Sequence, residues 1–447
     1  MSFEPCLSSI EVRLRNGLVA YQVDRGDYWI DFIPNGPELV VTFENAGTGG
    51  GPDSLRDCWG LSYLKNRNVS VLGVKWKRLD WYRGKTLHQF FRSEDFQRFA
   101  AQFTKHIFMG GSMGGYAALA FSQVLPGSLV IAHNPQTTLD TRLVPWEKRF
   151  EKGRQQDWTG DFSDTASAAS FSKLIYLTYD PFDIEDRRHV ERVRGQNVVH
   201  LKMPFMGHAT PEWLLQMKIL SKVTDLAMNE ELTVEVFAKL MRPRRTIARY
   251  YICMYLQTKK KNAKELALSR GLQITPLDTQ LLSIAFTHYF SQNQYELCIE
   301  LYQRSLTLHG LSAAKQGEIR ALAGIAMHRT KYPLDQIVVI ANGINGSSKN
   351  VPELIASAGL LNEIGRFDAA ALLSETCIRI APRVHDGYWS LAISQRAMLR
   401  PHDALTTIEA AEESCGSIGN RLKELRRRLE QDIKVQSDTL SQSKAVC

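Results

Sequence analysis

The stretch HIFMGGSMGGYAALAFS, from His106 to Ser122, decides how the first half of the chain folds. It begins with an apolar run typical of a buried strand and ends with small apolar residues typical of a helix packed closely on a sheet. Four glycines surround Ser112 at the junction. Glycines allow a sharp reversal and a close approach of two elements. The stretch therefore predicts a strand, a tight turn at Ser112 and a helix.

Apolar runs continue on both sides of this unit, up to about residue 222. Two N-terminal runs, EVRLRNGLVAYQV and YWIDFIP, predict antiparallel strands with a hairpin turn at Asn16-Gly17. The later runs are nearly continuous and rich in Val, Ile and Leu, as in strands buried on both faces of a parallel sheet. They occupy residues 38–47, 69–76, 105–112, 128–135, 173–180 and 197–204. Helical patterns separate several of them, so we predict an α/β fold with a mostly parallel sheet and flanking helices.

The motif GGSMG, Gly110 to Gly114, has the pattern G-x-S-x-G between the predicted strand and helix. Such a turn raises the Ser112 hydroxyl above the sheet edge and sets a helix N-terminus where an oxyanion would form. The alternative is a glycine-rich turn without chemistry, or a phosphate cradle. The stretch matches neither the dinucleotide pattern G-x-G-x-x-G nor the G-K-[ST] of a P-loop, so we predict no cofactor.

A serine hydroxyl is a good nucleophile only when a base removes its proton, so the motif predicts partners later in the chain. Asp180 ends one of the predicted strands, before a turn that contains proline. His208 lies in a loop after the last predicted strand. We favour Asp180 as the acid and His208 as the base. The alternatives that stay open are Asp183 and Asp186 for the acid, and His133 as a competitor of His208 or a pocket-lining residue.

With these residues, positions 1 to about 222 resemble the α/β-hydrolase superfamily. The resemblance depends on GGSMGG and on the order Ser112, Asp180, His208 on matching elements. It implies that Ser112 attacks a carbonyl, that His208 relays the proton and that Asp180 orients the imidazole, with an acyl-enzyme as intermediate. We therefore expect a serine hydrolase acting on an ester or related acyl bond of a small molecule or glycan. The superfamily includes esterases, thioesterases, peptidases and non-hydrolases, so the substrate stays open.

The oxyanion hole of that fold needs two backbone N–H donors. The resemblance implies Met113, the residue after the nucleophile, as one donor, and Asn45 or Ala46 as the other. The sequence departs here from the His-Gly pattern of many lipases and esterases, because Glu44 precedes these two residues. The second donor therefore stays open.

Two further segments are expected near the rim of the site. The basic and aromatic segment 75–84 predicts a substrate-contacting loop, or else aromatics packed at a strand end. Its candidate contact residues are Trp81, Tyr82 and Arg83. The segment 144–162 predicts a small cap that is too polar for a lipase-like lid.

Strand patterns stop after about residue 225, and helical periodicity follows. A helix, a short polar turn and a second helix recur at intervals of 37, 35 and 35 residues, anchored on Tyr295, Tyr332, Phe367 and His402. The segment GRFDAAALLSETCIRIAP, which ends at Pro382, resembles the tetratricopeptide pattern. We therefore predict stacked helical hairpins that bind a protein partner or a second copy of the chain.

These patterns predict four regions. They are an α/β-hydrolase-like catalytic domain (1–222), a basic helical junction (223–265), tetratricopeptide-like repeats (266–433) and a polar tail (434–447). Between Lys239 and Lys264 the junction has nine Lys or Arg and no Asp or Glu. We favour a solvated helix face here over contact with nucleic acid or an anionic membrane, because no recognition module surrounds it.

The composition excludes several other classes of protein. The 447 residues are 44% hydrophobic and 23% charged, as in a globular protein. No run of about 18 apolar residues predicts a membrane span, and the N-terminus lacks a secretory pattern. Seven scattered cysteines without a C-x-x-C pair predict reduced thiols in the cytoplasm and no metal site.

The alternatives to a serine hydrolase are an inactive hydrolase-fold scaffold and an anion-binding module.

Overall fold

The computed structural model describes residues 9–47, 49–307, 309–345 and 347–444, with side chains up to residue 435. The chain divides into two compact units between Ile274 and Thr275. The residues that we predicted as a basic junction, 223–265, therefore fall within the first unit.

The described part of the first unit contains a nine-stranded sheet. Its strands are β1 (Ile10–Arg13), β2 (Val19–Asp24), β3 (Tyr28–Ile33), β4 (Glu38–Phe43), β5 (Val69–Trp76), β6 (Lys105–Gly111), β7 (Leu129–His133), β8 (Leu174–Tyr179) and β9 (Val198–Lys202). They lie in the order β1-β2-β3-β5-β4-β6-β7-β8-β9. The pairs from β1 to β3, and β3 with β5, are antiparallel, and all other pairs are parallel. The predicted α/β fold with a mostly parallel sheet is thus confirmed.

Helices cover both faces of this sheet, and its central strands are therefore buried on both sides. One face packs against Phe91, Phe96 and Phe121, and the other against Leu214 and Phe237. The helices of the first unit are α1 (Leu61–Leu64), α2 (Lys85–Arg92), α3 (Glu94–Ala100), α4 (Met113–Phe121), α5 (Glu151–Arg154), α6 (Ile184–Val190), α7 (Thr210–Gln216), α8 (Leu220–Met228), α9 (Val234–Leu240), α10 (Ala248–Gln257) and α11 (Lys261–Ile274).

The register of the parallel strands brings their carboxyl ends to one edge of the sheet. Phe43 of β4 lies opposite Gly110 of β6. Gly111 lies opposite His133 of β7, which in turn lies opposite Thr178 of β8. Residues that follow these four strands therefore meet at a common edge, which is where an open α/β sheet binds its ligands.

The second unit is helical throughout its described elements. They are α12 (Thr279–Ser291), α13 (Tyr295–Ser305), α14 (Ala313–Arg329), α15 (Leu334–Asn342), α16 (Val351–Glu363), α17 (Phe367–Ile380), α18 (His385–Ala397), α19 (Pro401–Cys415) and α20 (Asn420–Lys444). Neighbouring helices pack in sequence from α16 to α20, and α14 also packs on α16. The tetratricopeptide-like character of these helices stays a prediction. No helix in the described residues of either unit has the length and apolar character needed to cross a membrane.

Candidate active site

Ser112 occupies a strained turn between β6 and α4. Its φ of 54° and ψ of −117° lie outside the usual regions for a residue with a side chain. A backbone of this kind costs about 1–3 kcal/mol and persists only where the surroundings hold it. Its N–H donates to the carbonyl of His133 on the neighbouring strand (2.8 Å), and its carbonyl accepts from Tyr116 in α4 (2.9 Å). The turn leaves Ser112 partly exposed at the sheet edge.

Two of the neighbouring glycines are required by close packing. A Cβ on Gly114 would lie 2.4 Å from the carbonyl oxygen of Phe43 at the end of β4. A Cβ on Gly110 would lie 2.3 Å from the carbonyl oxygen of Gly114. Any side chain at these positions would push α4 away from the sheet, so the glycines set how closely the helix follows the serine.

His208 follows β9 in a short loop that leads into α7. Its Nδ1–H donates to the Asp186 carboxylate, at 2.9 Å from Oδ1 and 2.7 Å from Oδ2. Because a carboxylate only accepts, Nδ1 carries the hydrogen, and in the neutral ring Nε2 is then unprotonated. The Ser112 hydroxyl can then donate to Nε2, which lies 2.8 Å from Oγ. Ser112, His208 and Asp186 form a continuous hydrogen-bonded chain.

Asp186 lies in the first turn of α6 and is fully buried. The N-cap residue Asp183 accepts a hydrogen bond from its backbone N–H (3.1 Å) and starts the helix at this point. Arg149 pairs with the Asp186 carboxylate (2.9 Å) and also with the Glu147 carboxylate (2.7 Å). Burial of Asp183 and the nearby charge of Asp186 raise the pKa of the Asp183 carboxyl. The acid on His208 is thus held by a cation from a distant segment as well as by its own helix.

Asp180, our predicted acid, is placed differently, and this corrects the prediction on geometric grounds. Its buried carboxylate accepts backbone N–H groups from Phe182 (2.9 Å), Phe205 (3.1 Å) and Gly207 (2.7 Å). In the described residues, the carboxylate bonded to His208 is that of Asp186. The Asp180 carboxylate therefore links the turn after β8 to the loop that carries His208.

Helix α10 supports the same loop from the other side. Gln257 donates to the Asp180 carboxylate at 3.3 Å. Arg249 donates to the Met206 carbonyl at 3.2 Å and lies over the Trp213 ring at 5.1 Å. Part of the basic junction (223–265) therefore supports the His208 loop, and the charge pattern alone did not indicate this role.

The loop after β4 approaches the serine closely. Asn45 and Ala46, our predicted second donors, line the same cavity as Ser112 and His208. Met113, the predicted first donor, is the first residue of α4. Their donor roles stay predictions.

A buried carboxylate holds that loop in place. Glu44 pairs with Arg56 through both of its oxygens (3.0 and 2.9 Å) and accepts the backbone N–H of Trp76 (3.1 Å). Two side chains fix its carbonyls: Tyr82 donates to the carbonyl of Glu44 (2.8 Å), and Trp76 donates to that of Asn45 (3.1 Å). The departure from the His-Gly pattern thus introduces a structural anchor.

A cavity of about 470 Å³ opens beside Ser112. Its apolar wall comes mainly from the segment before α1, from β6 and from helices α7 and α8. The lining side chains include Trp59, Tyr63, Met109, His133, Asn134, Phe150, His208, Pro211, Glu212, Leu215, Leu220 and Thr224. The space is suited to an apolar group attached to a carbonyl at Ser112.

Two polar residues of the site were missed by our sequence reasoning. The Asn134 amide nitrogen lies 3.2 Å from both ring nitrogens of His208. The Gln136 amide donates to Ser112 Oγ at 3.3 Å. Both follow β7, so their position after a strand adjacent to β6 was the signal that could have found them.

His133, the competing histidine, is buried and makes no bond to Ser112 through its side chain. Its Nδ1 lies 2.7 Å from the Thr178 hydroxyl. Burial lowers the pKa of His133 to about 4. Its ring forms part of the cavity wall, which corresponds to the pocket-lining alternative.

The two rim segments have different outcomes. Trp81, Tyr82 and Arg83 are all buried, so packed aromatics describe segment 75–84 better than a substrate-contacting loop. Arg83 donates to three backbone carbonyls within 144–162. That second segment reaches the site by supplying Arg149 to Asp186 and Phe150 to the cavity wall.

No group of three or more His, Cys, Asp or Glu side chains in the described residues is arranged to hold a metal ion. The described cysteines are unpaired, with Cys58, Cys253, Cys298 and Cys377 buried and Cys415 partly exposed.

Comparisons with known proteins give distant structural neighbours and no family. No family model and no curated protein matches the chain. Among solved structures, the capsule O-acetyltransferase of Neisseria meningitidis serogroup A has a TM-score of 0.32 and 13% identity, over 46% of this chain and 95% of that one. Carboxyl esterase 2 of Tuber melanosporum has a TM-score of 0.30 and 14% identity, over 53% of this chain and 86% of that one. Likenesses at this level support no activity, and the site geometry must carry the functional argument.

Proposed function

We propose that the first unit is a serine-dependent acyl-transfer enzyme, most simply a hydrolase of an ester or related acyl bond. The observation that carries the proposal is the chain from Ser112 to His208 to Asp186, with its two contacts of 2.8 and 2.7 Å. A strained serine between a strand and a helix, bonded to a histidine that is itself oriented by a buried carboxylate, is the arrangement that activates a hydroxyl as a nucleophile.

The reaction would begin with attack of Ser112 Oγ on the substrate carbonyl while His208 Nε2 accepts the hydroxyl proton. Asp186 stabilises the imidazolium that forms and keeps the ring in the correct tautomer. His208 then returns the proton to the leaving oxygen as the acyl-enzyme forms. Water or an alcohol, deprotonated by the same histidine, would release the acyl group and restore Ser112.

The tetrahedral intermediate needs donors for its oxyanion, and we assign Met113 and either Asn45 or Ala46. In a trans peptide the N–H points away from the preceding carbonyl. The carbonyls of Glu44 and Asn45 are held by Tyr82 and Trp76, so the following two N–H groups point away from those side chains. Since Asn45 and Ala46 line the serine cavity, this orientation supports a role as donors.

The Gln136 amide adds a donor on the serine oxygen itself. By donating to Oγ at 3.3 Å, it leaves the hydroxyl hydrogen free to point to His208. The hydrogen bond would also stabilise negative charge on this oxygen when the acyl-enzyme breaks down. We therefore include Gln136 as a positioning residue for the nucleophile.

A covalent probe tests the proposal. A fluorophosphonate should label the wild-type protein and fail to label Ser112→Ala, and turnover of short activated esters should disappear in the same variant. Ser163→Ala, at a partly exposed serine outside the cavity, is the matched control and should label normally. A folded wild-type protein without labelling or turnover would contradict the proposal and favour a scaffold.

A further inference from the structure

His133 presents a nitrogen that the proposed mechanism does not use. The residue is 1% exposed, and its ring is part of the cavity wall beside Ser112. Its Nδ1 contacts Thr178, whereas Nε2 is buried and has no hydrogen-bond partner among the described residues. An unsatisfied buried polar atom costs about 1–3 kcal/mol, so such an atom on a side chain that lines a cavity points to a ligand.

A chain of hydroxyl groups determines the protonation of this nitrogen. Thr210 donates its hydrogen to the Asn134 carbonyl oxygen at 2.6 Å, because that oxygen can only accept. The contact between Thr178 and Thr210 (3.2 Å) then requires Thr178 to be its donor. With its hydrogen used, Thr178 must accept from His133 Nδ1 at 2.7 Å. The tautomer that satisfies all three contacts carries a lone pair on Nε2.

The rest of this wall is mainly apolar. Met109, Leu215 and Leu220 line the cavity here, and Pro211 packs close to Gly111 on the neighbouring strand. The Trp59 ring lies against the imidazole, with 6.4 Å between centroids. An acyl chain would fit these surfaces, and an unpaired acceptor beside them would favour a chain that carries a donor at this point.

We propose that His133 Nε2 accepts a hydrogen bond from a hydroxyl group on the acyl chain of the substrate, so that the enzyme prefers hydroxyacyl over unsubstituted or ether-bearing acyl esters. Because Nε2 is buried, this contact requires a small outward movement of the cavity wall. The inference rests on the proposed function and adds the substrate class. It assigns His133 to substrate selection and leaves proton transfer to His208.

Matched esters test the assignment. The p-nitrophenyl esters of 2- and 3-hydroxybutyrate, the corresponding methoxybutyrates and butyrate would be compared by kcat/KM, each divided by its hydroxide-catalysed rate. For one hydroxyl position or both, the wild-type protein should prefer the hydroxyl over the methoxy ester by about tenfold, as expected of one buried hydrogen bond. His133→Phe should bring this ratio to within about twofold, whatever its turnover of butyrate.

A second variant keeps the test decisive if His133→Phe does not fold. Thr178→Val removes the acceptor on Nδ1, so the proton can move to Nε2 and the hydroxyl preference should fall at least threefold. His200→Phe is the matched control, because His200 also has a buried unpartnered nitrogen but lies outside the cavity. Its ratio should equal that of the wild-type protein.

The outcomes separate the two proposals. A wild-type protein that turns over butyrate without preferring either hydroxyl ester overturns the inference and leaves the serine mechanism standing. The same holds if the preference survives in both His133→Phe and Thr178→Val. Failure of every ester, together with no fluorophosphonate labelling, rejects the proposed function and the inference with it.

Discussion

The turn from β6 into α4 and the turn from β8 into α6 end at the same edge of the sheet but hold their functional side chains by different means. The first holds Ser112 within a few residues, through a strained backbone and glycines that pack against the end of β4. The second places Asp186 in α6, six residues beyond Asp180. The Asp186 carboxylate is paired with Arg149, which comes from another segment. The serine geometry is local, whereas the acid geometry depends on contacts between distant parts of the first unit.

The difference between the two turns is tested most strongly by removing the charge of Asp186. Asp186→Asn should lower kcat by about 10³–10⁴-fold, because the histidine loses both its tautomer and the charge that stabilises its imidazolium. Ester turnover and thermal unfolding would be measured together, since the fold should be retained. Asp183→Asn is the matched control, because asparagine caps a helix as well as aspartate does. A loss in Asp183→Asn equal to that in Asp186→Asn would contradict the assignment.

The local character of the serine turn is tested at Gly114. Gly114→Ala should lower the free energy of unfolding by about 3 kcal/mol, because a Cβ at this position would overlap the Phe43 carbonyl and the gain in helix propensity is only about 1 kcal/mol. Urea unfolding measures the change. Gly419→Ala, where a Cβ would meet nothing within 4 Å, should leave stability nearly unchanged. Equal stability of the two variants would mean that α4 does not need this close approach.

Asp180 should behave as a support for the loop and not as the acid. Asp180→Asn should lower the free energy of unfolding by about 2 kcal/mol, because an amide cannot accept all the backbone N–H groups that the carboxylate now holds. Its kcat should fall far less than that of Asp186→Asn. Gln257→Leu, which removes only one of the contacts, should have a smaller effect on both quantities. A larger loss of kcat in Asp180→Asn than in Asp186→Asn would restore our original assignment of the acid.

Because Glu147 holds Arg149 beside Asp186, the free energy of unfolding should also depend on pH. Burial alone would raise the pKa of Glu147, but hydrogen bonds from His189 and Arg149 outweigh it and lower this pKa to about 2. Since the folded value lies below the unfolded one, the stabilisation is present above about pH 5 and is lost as the pH falls toward 2.

Glu147→Gln should therefore cost about 1–2 kcal/mol at pH 7, after allowance for solvent screening, and should reduce the acid-induced loss of stability. Urea unfolding at pH 7, 5 and 4 measures both effects. Glu191→Gln, at a surface glutamate with a long ion pair of 3.7 Å, is the control. An unchanged pH dependence in Glu147→Gln would show that this carboxylate does not support Arg149.

Several features could be predicted from sequence because their causes are local. Alternating apolar runs predicted the mostly parallel sheet, and the glycine pattern predicted a turn that presents Ser112. The position of His208 in the loop after β9 was also readable, since the loop follows the last apolar run. Asn134 and Gln136 were missed, because polar residues after a strand have many ordinary uses and only their distances from His208 and Ser112 single them out.

Hydrophobic periodicity and glycine spacing act over a few neighbouring residues, so the sequence was enough to predict the succession of strands and helices and the strained turn at Ser112. That Asp186 and not Asp180 is bonded to His208 followed only from the folded arrangement. Both carboxylates follow the same strand, and their uses depend on which backbone N–H groups, cations and imidazole nitrogens come within about 3 Å of them. The tautomer of His133 likewise depends on the fold. The hydroxyl groups of Thr178 and Thr210, on two other elements, determine that Nδ1 carries the hydrogen and Nε2 the lone pair.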